Sequence, residues 1–208
     1  MPPLARLARV PTALGLAAVL LAACAVTDLD ETPPPMGRFL LGHNIVVVAK
    51  DIEAAPLSRT LTDEAWVGTV RKAVNDRFSR YDGDQYFHIS TAILGYMLAP
   101  AGVPIVAAPK SILMADVYVY RDSDGGKPIN EEPKRFTVFE EGGDVIVGSG
   151  LTRTAEQQAE SLARNLAKAI HDWMLENPDW FGDASLMDPA TTSPGRAVQP
   201  LADAPGAG

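Results

Sequence analysis

The sequence is poor in the residue types that build disulfides, metal centres and covalent catalytic sites. Among 208 residues it has one cysteine, Cys24, and three histidines. A single cysteine excludes a disulfide within the chain, so the fold must depend on its apolar core. His43, His88 and His171 fall in three different predicted elements, and none has a second His or Cys at a metal-binding spacing such as i, i+4. We therefore predict no metal site and no cofactor.

Motifs for catalysis and for phosphate binding are also missing. Gly148-Ser149-Gly150 is not a Gly-x-Ser-x-Gly nucleophile elbow and lacks the strand-to-helix turn of that motif. Gly142-Gly143 is followed neither by Lys-Ser/Thr nor by a predicted helix, as a phosphate-binding loop would be. The acidic pairs Glu131-Glu132 and Glu140-Glu141 consist of adjacent residues, which point to opposite faces of a strand. These absences predict that the protein is not an enzyme and has no catalytic residues.

The three histidines have ordinary structural interpretations. We expect His43 to be a loop residue at the mouth of a strand and His171 to lie on a solvent-exposed helix face. His88 falls within a predicted strand, where Ser90 and Ser111 could lie near it in the sheet. Such a group would be the start of a hydrolase site, but no motif supports it.

The acidic stretch 122–126, Asp-Ser-Asp-Gly-Gly, is the sharpest candidate for a metal loop. Its two acids are one residue apart, as in calcium loops. An EF-hand would have Gly at the sixth position and Glu at the twelfth, where this chain has Lys127 and Pro133. A hairpin turn explains the stretch better, because Asp and Gly tolerate positive φ.

Basic residues are outnumbered by acidic ones. The chain has 18 Lys and Arg against 26 Asp and Glu, a net charge of −8. Such a surface repels nucleic acid and anionic lipid headgroups, because it cannot release the counterions that drive their binding. We therefore predict no nucleic-acid partner.

The N-terminus has the three parts of a secretory signal. Arg6 and Arg9 occur without an acid, a mostly apolar run covers 10–21, and small residues lead to a cysteine in Leu21-Ala22-Ala23-Cys24. The run is shorter than the roughly 20 apolar residues of a membrane-spanning helix. The segment resembles the signal peptide of bacterial lipoproteins, whose lipobox reads Leu, two small residues and then Cys.

This resemblance implies how the protein is held and where it resides. In bacterial lipoproteins the cysteine is lipidated on sulfur, the chain is cleaved before it, and the new amine is acylated. Cys24 is therefore the predicted lipidation site and the contact with the membrane. In lipoproteins of the enteric type, Asp directly after the cysteine marks retention at the inner membrane. This chain has Ala25 at that position, so the resemblance implies location at the periplasmic face of the outer membrane, with the inner membrane as the alternative. Without 1–23 the chain keeps 16 basic and 26 acidic residues, a net charge of −10.

The rest of the chain is interpreted as a tether, one domain and a tail. Residues 24–38 include Pro33-Pro34-Pro35, which predicts a semi-rigid Pro-rich tether. Residues 39–181 carry regular hydrophobic patterns and form a single predicted domain. Residues 182–208 lose periodicity and are rich in Ala, Pro and Gly, which predicts a disordered tail.

Apolar and alternating runs predict four to five strands within the domain. The run 44–49 is β-branched and nearly all apolar, which predicts a strand buried on both faces. In 86–98, Phe87 and Met97 share one side, and Gly95 predicts a bulge or a close approach of another backbone segment. The other predicted strands are 111–120 and 135–139, joined as a hairpin, and a short edge strand at 144–147.

Two stretches have helical periodicity. Thr62 and Thr154 are predicted N-caps, the second within a capping box closed by Gln157. Gly83 is expected to stop the first helix in the left-handed conformation, and Trp180-Phe181 to fold back onto the domain after the second. The apolar stripes are Val67, Val70, Val74, Phe78 and Tyr81 in the first helix, and Ala159, Leu162, Leu166, Ile170 and Trp173 in the second.

The order of these elements predicts an α+β fold. We expect a mainly antiparallel sheet of four to five strands with two helices packed on one face. Tyr96, Tyr118 and Tyr120 would mark the other face. In element order, from Gly42 to Leu175, the chain resembles small α+β envelope lipoproteins such as the lipopolysaccharide-assembly lipoprotein class.

Three functions are compatible with this organisation. The first is a membrane-anchored, non-enzymatic adaptor or assembly component of the cell envelope that offers a sheet face or edge to a protein partner, since tethering raises its local concentration there. The second is a protein that binds a lipid or small apolar ligand between sheet and helices. The third, a periplasmic hydrolase, has the least support.

Overall fold

Four strands and two long helices make up the part of the chain that the computed structural model describes, residues 28–50, 52, 55, 57–100, 111–140 and 153–186. Their order is β1 (Phe39–Val48), α1 (Asp63–Phe78), β2 (Gln85–Met97), β3 (Ile112–Arg121), β4 (Lys134–Phe139) and α2 (Ala155–Leu175). Short 3₁₀ turns occupy Asp122–Asp124, Pro178–Trp180 and Ala184–Leu186. The signal segment with Cys24, the predicted strand 144–147 and the chain after 186 lie outside the described residues.

The strands form one sheet in the order β1-β2-β3-β4. β1 and β2 are parallel and are connected through α1, whereas β2 and β3, and β3 and β4, are antiparallel. The expected α+β fold with a mostly antiparallel sheet is therefore confirmed. The parallel pair arises because a strand, a helix and a second strand in succession form a crossover unit.

Both helices begin at the predicted capping residues. Thr62 Oγ1 accepts a hydrogen bond from the Ala65 N–H at 3.2 Å, and Thr154 Oγ1 accepts one from the Gln157 N–H at 3.3 Å. The Thr154 N–H donates to Gln157 Oε1 at 2.9 Å, which completes the capping box. Neither described helix is long and apolar enough to cross a membrane.

Gly83 is required by a close approach and not by a helix cap. α1 ends at Phe78, and Ser79 caps it in the right-handed conformation, so the expected left-handed stop at Gly83 is wrong. The turn into β2 instead passes directly against the start of β1. The Gly83 N–H donates to the Phe39 carbonyl at 3.0 Å, and a Cβ at Gly83 would overlap the Arg38 carbonyl oxygen.

The helices cover one face of the sheet and close a single core. Met36, within the predicted tether segment, is also buried in this core. Fully burying one large apolar side chain contributes about 1.5–3 kcal/mol, which is how a domain without disulfides is stabilised. The main contributors are Trp66, Val70, Val74 and Phe78 of α1, Leu162, Leu166 and Ile170 of α2, and Phe39, Phe87, Ile89, Ile93, Leu113, Val117 and Val119 of the sheet.

β1 is an edge strand, so the expectation that the run 44–49 is buried on both faces is wrong. Over the described residues it pairs only with β2, and Ile45 and Val47 are about half exposed while Val46 is buried. A register shift between Leu41 and Asn44 marks a bulge in the same strand. The failure has a simple cause: a continuous apolar run does not reveal whether its second face is covered.

The bulge predicted at Gly95 is present and has a consequence for the residues after it. The register of β2 against β3 shifts there, which reverses the alternation of side chains. Tyr96 consequently faces the helices and packs on Trp66, with ring centroids 4.8 Å apart. Met97 turns to the opposite side. The expectations that Met97 shares the core side and that Tyr96 marks the other face are therefore wrong.

The predicted hairpin and the returning C-terminal segment are confirmed. β3 and β4 pair from Ile112 opposite Phe139 to Val117 opposite Lys134. The turn between them contains the 3₁₀ segment 122–124 and two glycines with positive φ at positions 125 and 126. After α2, Phe181 is buried in the core, as expected for a segment that folds back.

Candidate functional site: the open face of the sheet

The side of the sheet opposite the two helices carries partly exposed side chains, and we call it the open face. It consists of alternate side chains from all four strands, each at least partly exposed. Tyr118 and Tyr120 lie on it as expected, with ring centroids 6.2 Å apart. The other members are Leu40, Ile45, Val47, Tyr86, His88, Ser90, Ala92, Leu94, Met97, Ile112, Met114, Asp116, Arg135, Thr137 and Phe139.

Large apolar side chains occupy both edges of the open face. Ile45 and Val47 on β1 are 51% and 47% exposed, and Phe139 on β4 is 50% exposed. No sequence motif marks these three residues. The unbroken apolar run of β1 could have indicated Ile45 and Val47, but only if β1 had been known to lie at the edge of the sheet.

An ion pair fixes the charge in the middle of β3 and β4. Arg135 donates to both carboxylate oxygens of Asp116 at 2.8 Å, across a directly opposed pair of residues. The Arg135 guanidinium lowers the pKa of Asp116 below its usual value. The pair therefore presents two oriented polar groups between the apolar edges at neutral and mildly acidic pH.

Two of the three histidines meet at the end of the open face. His43 lies in the β1 bulge and stacks on His88, with ring centroids 4.9 Å apart. The His43 N–H donates to His88 Nδ1 at 2.8 Å, and His88 Nε2 lies 3.1 Å from Asp122 Oδ1. Because Nδ1 accepts a hydrogen bond, the neutral His88 ring carries its proton on Nε2 and donates it to Asp122. Both ring nitrogens thus join the β1 bulge to the turn after β3.

The histidine pair is not joined by the serines that a hydrolase site would need. Ser90 lies on the open face two residues along β2, opposite Tyr118. Ser111 is buried before β3, where its Oγ accepts a hydrogen bond from the Ala99 N–H at 3.1 Å. Within the described part of the chain, no group of three or more His, Cys, Asp and Glu side chains could hold a metal ion.

The two acidic residues of the 122–126 stretch form side-chain contacts at the turn after β3. Asp122 contacts His88, and Asp124 accepts from Arg121 Nη1 at 3.3 Å. Gly125 has φ of 66° in the left-handed region, the conformation that a turn glycine supplies. These contacts agree with the hairpin-turn interpretation.

His171 is buried, so the expectation of a solvated helix face is wrong. It is 3% exposed, and its Nε2 lies 2.6 Å from the Tyr81 hydroxyl. Burial, assisted by the positive charge of Arg77, lowers the pKa of His171 to about 4. The ring is therefore neutral at physiological pH. It follows Ile170 at the margin of the apolar stripe of α2, a position that faces α1 in the assembled fold.

Of the two acidic pairs, the described residues are Glu131, Glu132 and Glu140. Glu140 is buried and accepts a hydrogen bond from Arg153 Nη1 at 3.0 Å, which links the end of β4 to the start of α2. Glu131 and Glu132 are exposed in the hairpin connection. The predicted lipidation site, Cys24, lies outside the described residues.

Comparisons with known proteins leave the function to be argued from this surface. No protein-family model matches the chain, and no curated protein matches it. A solved structure described as a "putative lipoprotein from Caulobacter crescentus CB15" is similar over 66% of this chain and 88% of that chain. The two share 14% sequence identity, with a TM-score of 0.34.

Proposed function

We propose that the protein is a membrane-anchored envelope lipoprotein that acts as a non-enzymatic adaptor and binds a protein partner through its open face. The lipid is attached at Cys24 and holds the domain at the periplasmic face of the outer membrane. The observation that carries the adaptor role is the exposure of Ile45, Val47 and Phe139 on the side of the sheet that the helices leave open.

The composition of the open face supports a protein contact. Exposed apolar side chains that cluster on one surface mark interaction sites, and Ile45 and Val47 lie on the same side of β1. Tyr118 and Tyr120 add amphipathic rings of the kind that interfaces favour, because one end is apolar and the other forms hydrogen bonds. The Asp116–Arg135 pair adds oriented charge that a partner can match.

The two other candidate functions have less support. The layer between sheet and helices is filled, within the described residues, by large side chains such as Trp66, Phe78 and Phe87, where an apolar ligand would have to lie. A lipid recovered by mass spectrometry from the purified protein would favour that alternative. A hydrolase would need His88 free to accept a proton, and hydrolytic activity that is lost in His88→Ala would contradict the adaptor proposal.

The lipid anchor is tested by Cys24→Ser. We expect this variant to leave the membrane fraction after detergent-free lysis, because the acyl chains supply about 0.8 kcal/mol of membrane binding per buried CH₂. Immunoblots of the fractions give the readout. Ala25→Asp is the matched variant: it should stay in the membrane fraction and move from outer to inner membrane on a density gradient. Unchanged membrane retention of Cys24→Ser would mean that another segment holds the protein.

The adaptor role is tested with a photo-crosslinking amino acid at Tyr118, in the middle of the open face. The control position is Lys72, whose side chain is exposed on the solvent side of α1. We expect a defined envelope protein to be crosslinked in living cells from position 118 and not from position 72. Tyr118→Ala should then lower co-purification of that same protein. Equal adducts from both positions would contradict the proposal.

A further inference from the structure

The two edges of the sheet differ in how they are protected against pairing. Pro133, Lys134 and Arg135 lie at the β4 edge, and proline and charge are the usual guards of an exposed edge strand. Residues 43–49 at the β1 edge include no Asp, Glu, Lys, Arg or proline, and no described strand pairs with their outer side. Long apolar edges of this kind are sites at which a further strand adds.

The pairing of β1 with β2 shows which backbone groups of β1 no described strand binds. The Ala49 N–H donates to the Ile93 carbonyl of β2 at 2.9 Å. In a strand, successive residues direct their backbone groups to opposite sides. The odd-numbered residues after the bulge therefore bond to β2, while the N–H and C=O of Asn44, Val46 and Val48 point away from the sheet.

These outward groups are self-complementary about Val46. When a second copy of β1 runs antiparallel with Val46 opposite Val46, Asn44 lies opposite Val48, and each such pair can exchange two N–H···O bonds. Ile45 then lies opposite Val47 of the second copy in a non-hydrogen-bonded pair, with Cα atoms about 4.5 Å apart. The half-exposed side chains of both copies join in one apolar cluster on a continuous open face.

The layer of helices can also continue across the contact between the two β1 strands. Strands lie about 4.8 Å apart and packed helices about 8–10 Å apart, so one helix covers about two strands. The domain keeps this ratio, with two helices on four strands. Edge-to-edge pairing of two copies preserves it and places each α1 beside the α1 of the other copy.

The charges on α1 fit this arrangement. Asn44 Nδ2 donates to the Arg71 carbonyl at 2.9 Å, which locates this part of α1 over the outer strand. Val46 lies about 6.6 Å beyond Asn44 along β1. The helix runs in the opposite direction, so the same distance corresponds to about four residues from Arg71 back toward the start of α1. The two-fold axis therefore passes near Val67, and the exposed Glu64 of one copy comes beside the exposed Arg71 of the other.

We propose that the protein forms a symmetric dimer through β1, antiparallel and centred on Val46, with one eight-stranded sheet. The dimer depends on the outer backbone edge of β1, whereas the adaptor role depends on the open face; Ile45 and Val47 contribute to both surfaces. A second copy is favoured as the occupant because both the backbone pattern and the Glu64–Arg71 pairing are self-complementary. A shared membrane anchor would strengthen it by raising the local concentration of copies.

A disulfide that is specific for the register tests the pairing in the full chain carrying Cys24→Ser. Differently tagged Ile45→Cys and Val47→Cys chains are mixed and oxidised, and we expect the mixed dimer as the main product, since the Cα separation of about 4.5 Å suits a disulfide. Ile45→Cys alone places its cysteines about 8 Å apart, beyond bridging distance. Phe139→Cys mixed with Val47→Cys is the control, because position 139 is similarly exposed at the opposite edge.

Sedimentation equilibrium of charge variants gives a second test that does not alter the sheet. Arg71→Glu should raise the dissociation constant of the dimer about tenfold, because each attractive pair becomes repulsive. The double variant Glu64→Arg/Arg71→Glu should restore it, while circular dichroism checks that every variant is folded. A wild type that is monomeric at about 0.1 mM in sedimentation would overturn the proposal. So would a disulfide test that gives no more mixed dimer than the control, or one in which the Val47→Cys chain forms adducts only with another protein.

Discussion

Buried polar side chains tie together segments of the domain that are far apart in the chain. Arg38, just before β1, donates to both carboxylate oxygens of the buried Asp84 at 2.7 and 2.8 Å. His171 of α2 binds the Tyr81 hydroxyl beyond the end of α1. Leaving one such buried group without its partner costs about 1–3 kcal/mol. These residues therefore contribute to the stability of the domain.

The depressed pKa of His171 predicts destabilisation by acid. Its pKa is about 4 in the folded chain, whereas an unperturbed histidine has a pKa of about 6.5. Between these values the unfolded chain binds a proton that the folded chain does not, so the free energy of unfolding falls as pH decreases from about 6.5 to 4. The full loss is about 3 kcal/mol. Urea unfolding at a series of pH values measures it.

A matched pair of variants isolates this effect. His171→Gln can keep a hydrogen bond to Tyr81 but does not titrate, so it should flatten the pH dependence in this window. Thr137→Ser, an exposed substitution that neither adds nor removes a titratable group, should leave it as in the wild type. An unchanged slope in His171→Gln would assign the acid sensitivity to other groups.

At the scale of elements, close contacts between turns and strands set the geometry of the sheet. The turn before β2 passes the start of β1 so closely that only glycine fits at position 83. The Gly42 backbone likewise lies against the His88 ring in the β1 bulge, with no room for a Cβ. Both contacts lie where β1 meets β2, so close backbone packing constrains the geometry of this parallel pair.

Gly83→Ala is expected to destabilise the domain. The added Cβ overlaps the Arg38 carbonyl, and the Gly83 N–H is held by Phe39, so we expect a loss of about 1–3 kcal/mol. Gly68→Ala is the control. Gly68 lies inside α1, where a Cβ meets no atom within 4 Å, so alanine should stabilise the helix by about 0.5–1 kcal/mol. Thermal unfolding should show shifts of opposite sign, and shifts in the same direction would refute this account.

At the scale of the whole molecule, the segment after α2 closes the domain against its first strand. The Phe181 ring packs on Phe39 and Phe87, with centroid distances of 5.7 and 5.1 Å. The Arg38 N–H donates to the Phe181 carbonyl at 2.9 Å, and Arg121 Nη2 donates to the Trp180 carbonyl at 2.7 Å. The two ends of the described domain therefore stabilise one another.

Phe181→Ala should cost about 3–5 kcal/mol in the free energy of unfolding, since it removes a fully buried aromatic ring. Leu186→Ala provides the comparison, because Leu186 is 68% exposed a few residues later and should change stability by less than about 0.5 kcal/mol. Urea unfolding of both variants gives the measurement. A small effect of Phe181→Ala would mean that the segment is a dispensable addition to the core.

The sequence by itself determined the features that depend on neighbouring residues. The caps at Thr62 and Thr154, the apolar stripes of both helices, the β3–β4 hairpin and the bulge at Gly95 arise from local hydrogen bonds and local side-chain periodicity. The α+β class follows from the order of these elements. The lipobox-like sequence that ends at Cys24 is a local signal of the same kind, and lipidation there stays a prediction.

Only the tertiary structure decided which surfaces are covered. That β1 is an edge, that Tyr96 faces the helices beyond the bulge, that His171 is buried and that His43 stacks on His88 all depend on contacts between residues distant in the chain. An apolar run is compatible with a strand that is covered on one face or on both. A histidine next to an apolar stripe can lie on the buried or on the exposed side of its helix. Strand order and helix placement settle these alternatives, because burial is a property of the assembled layers.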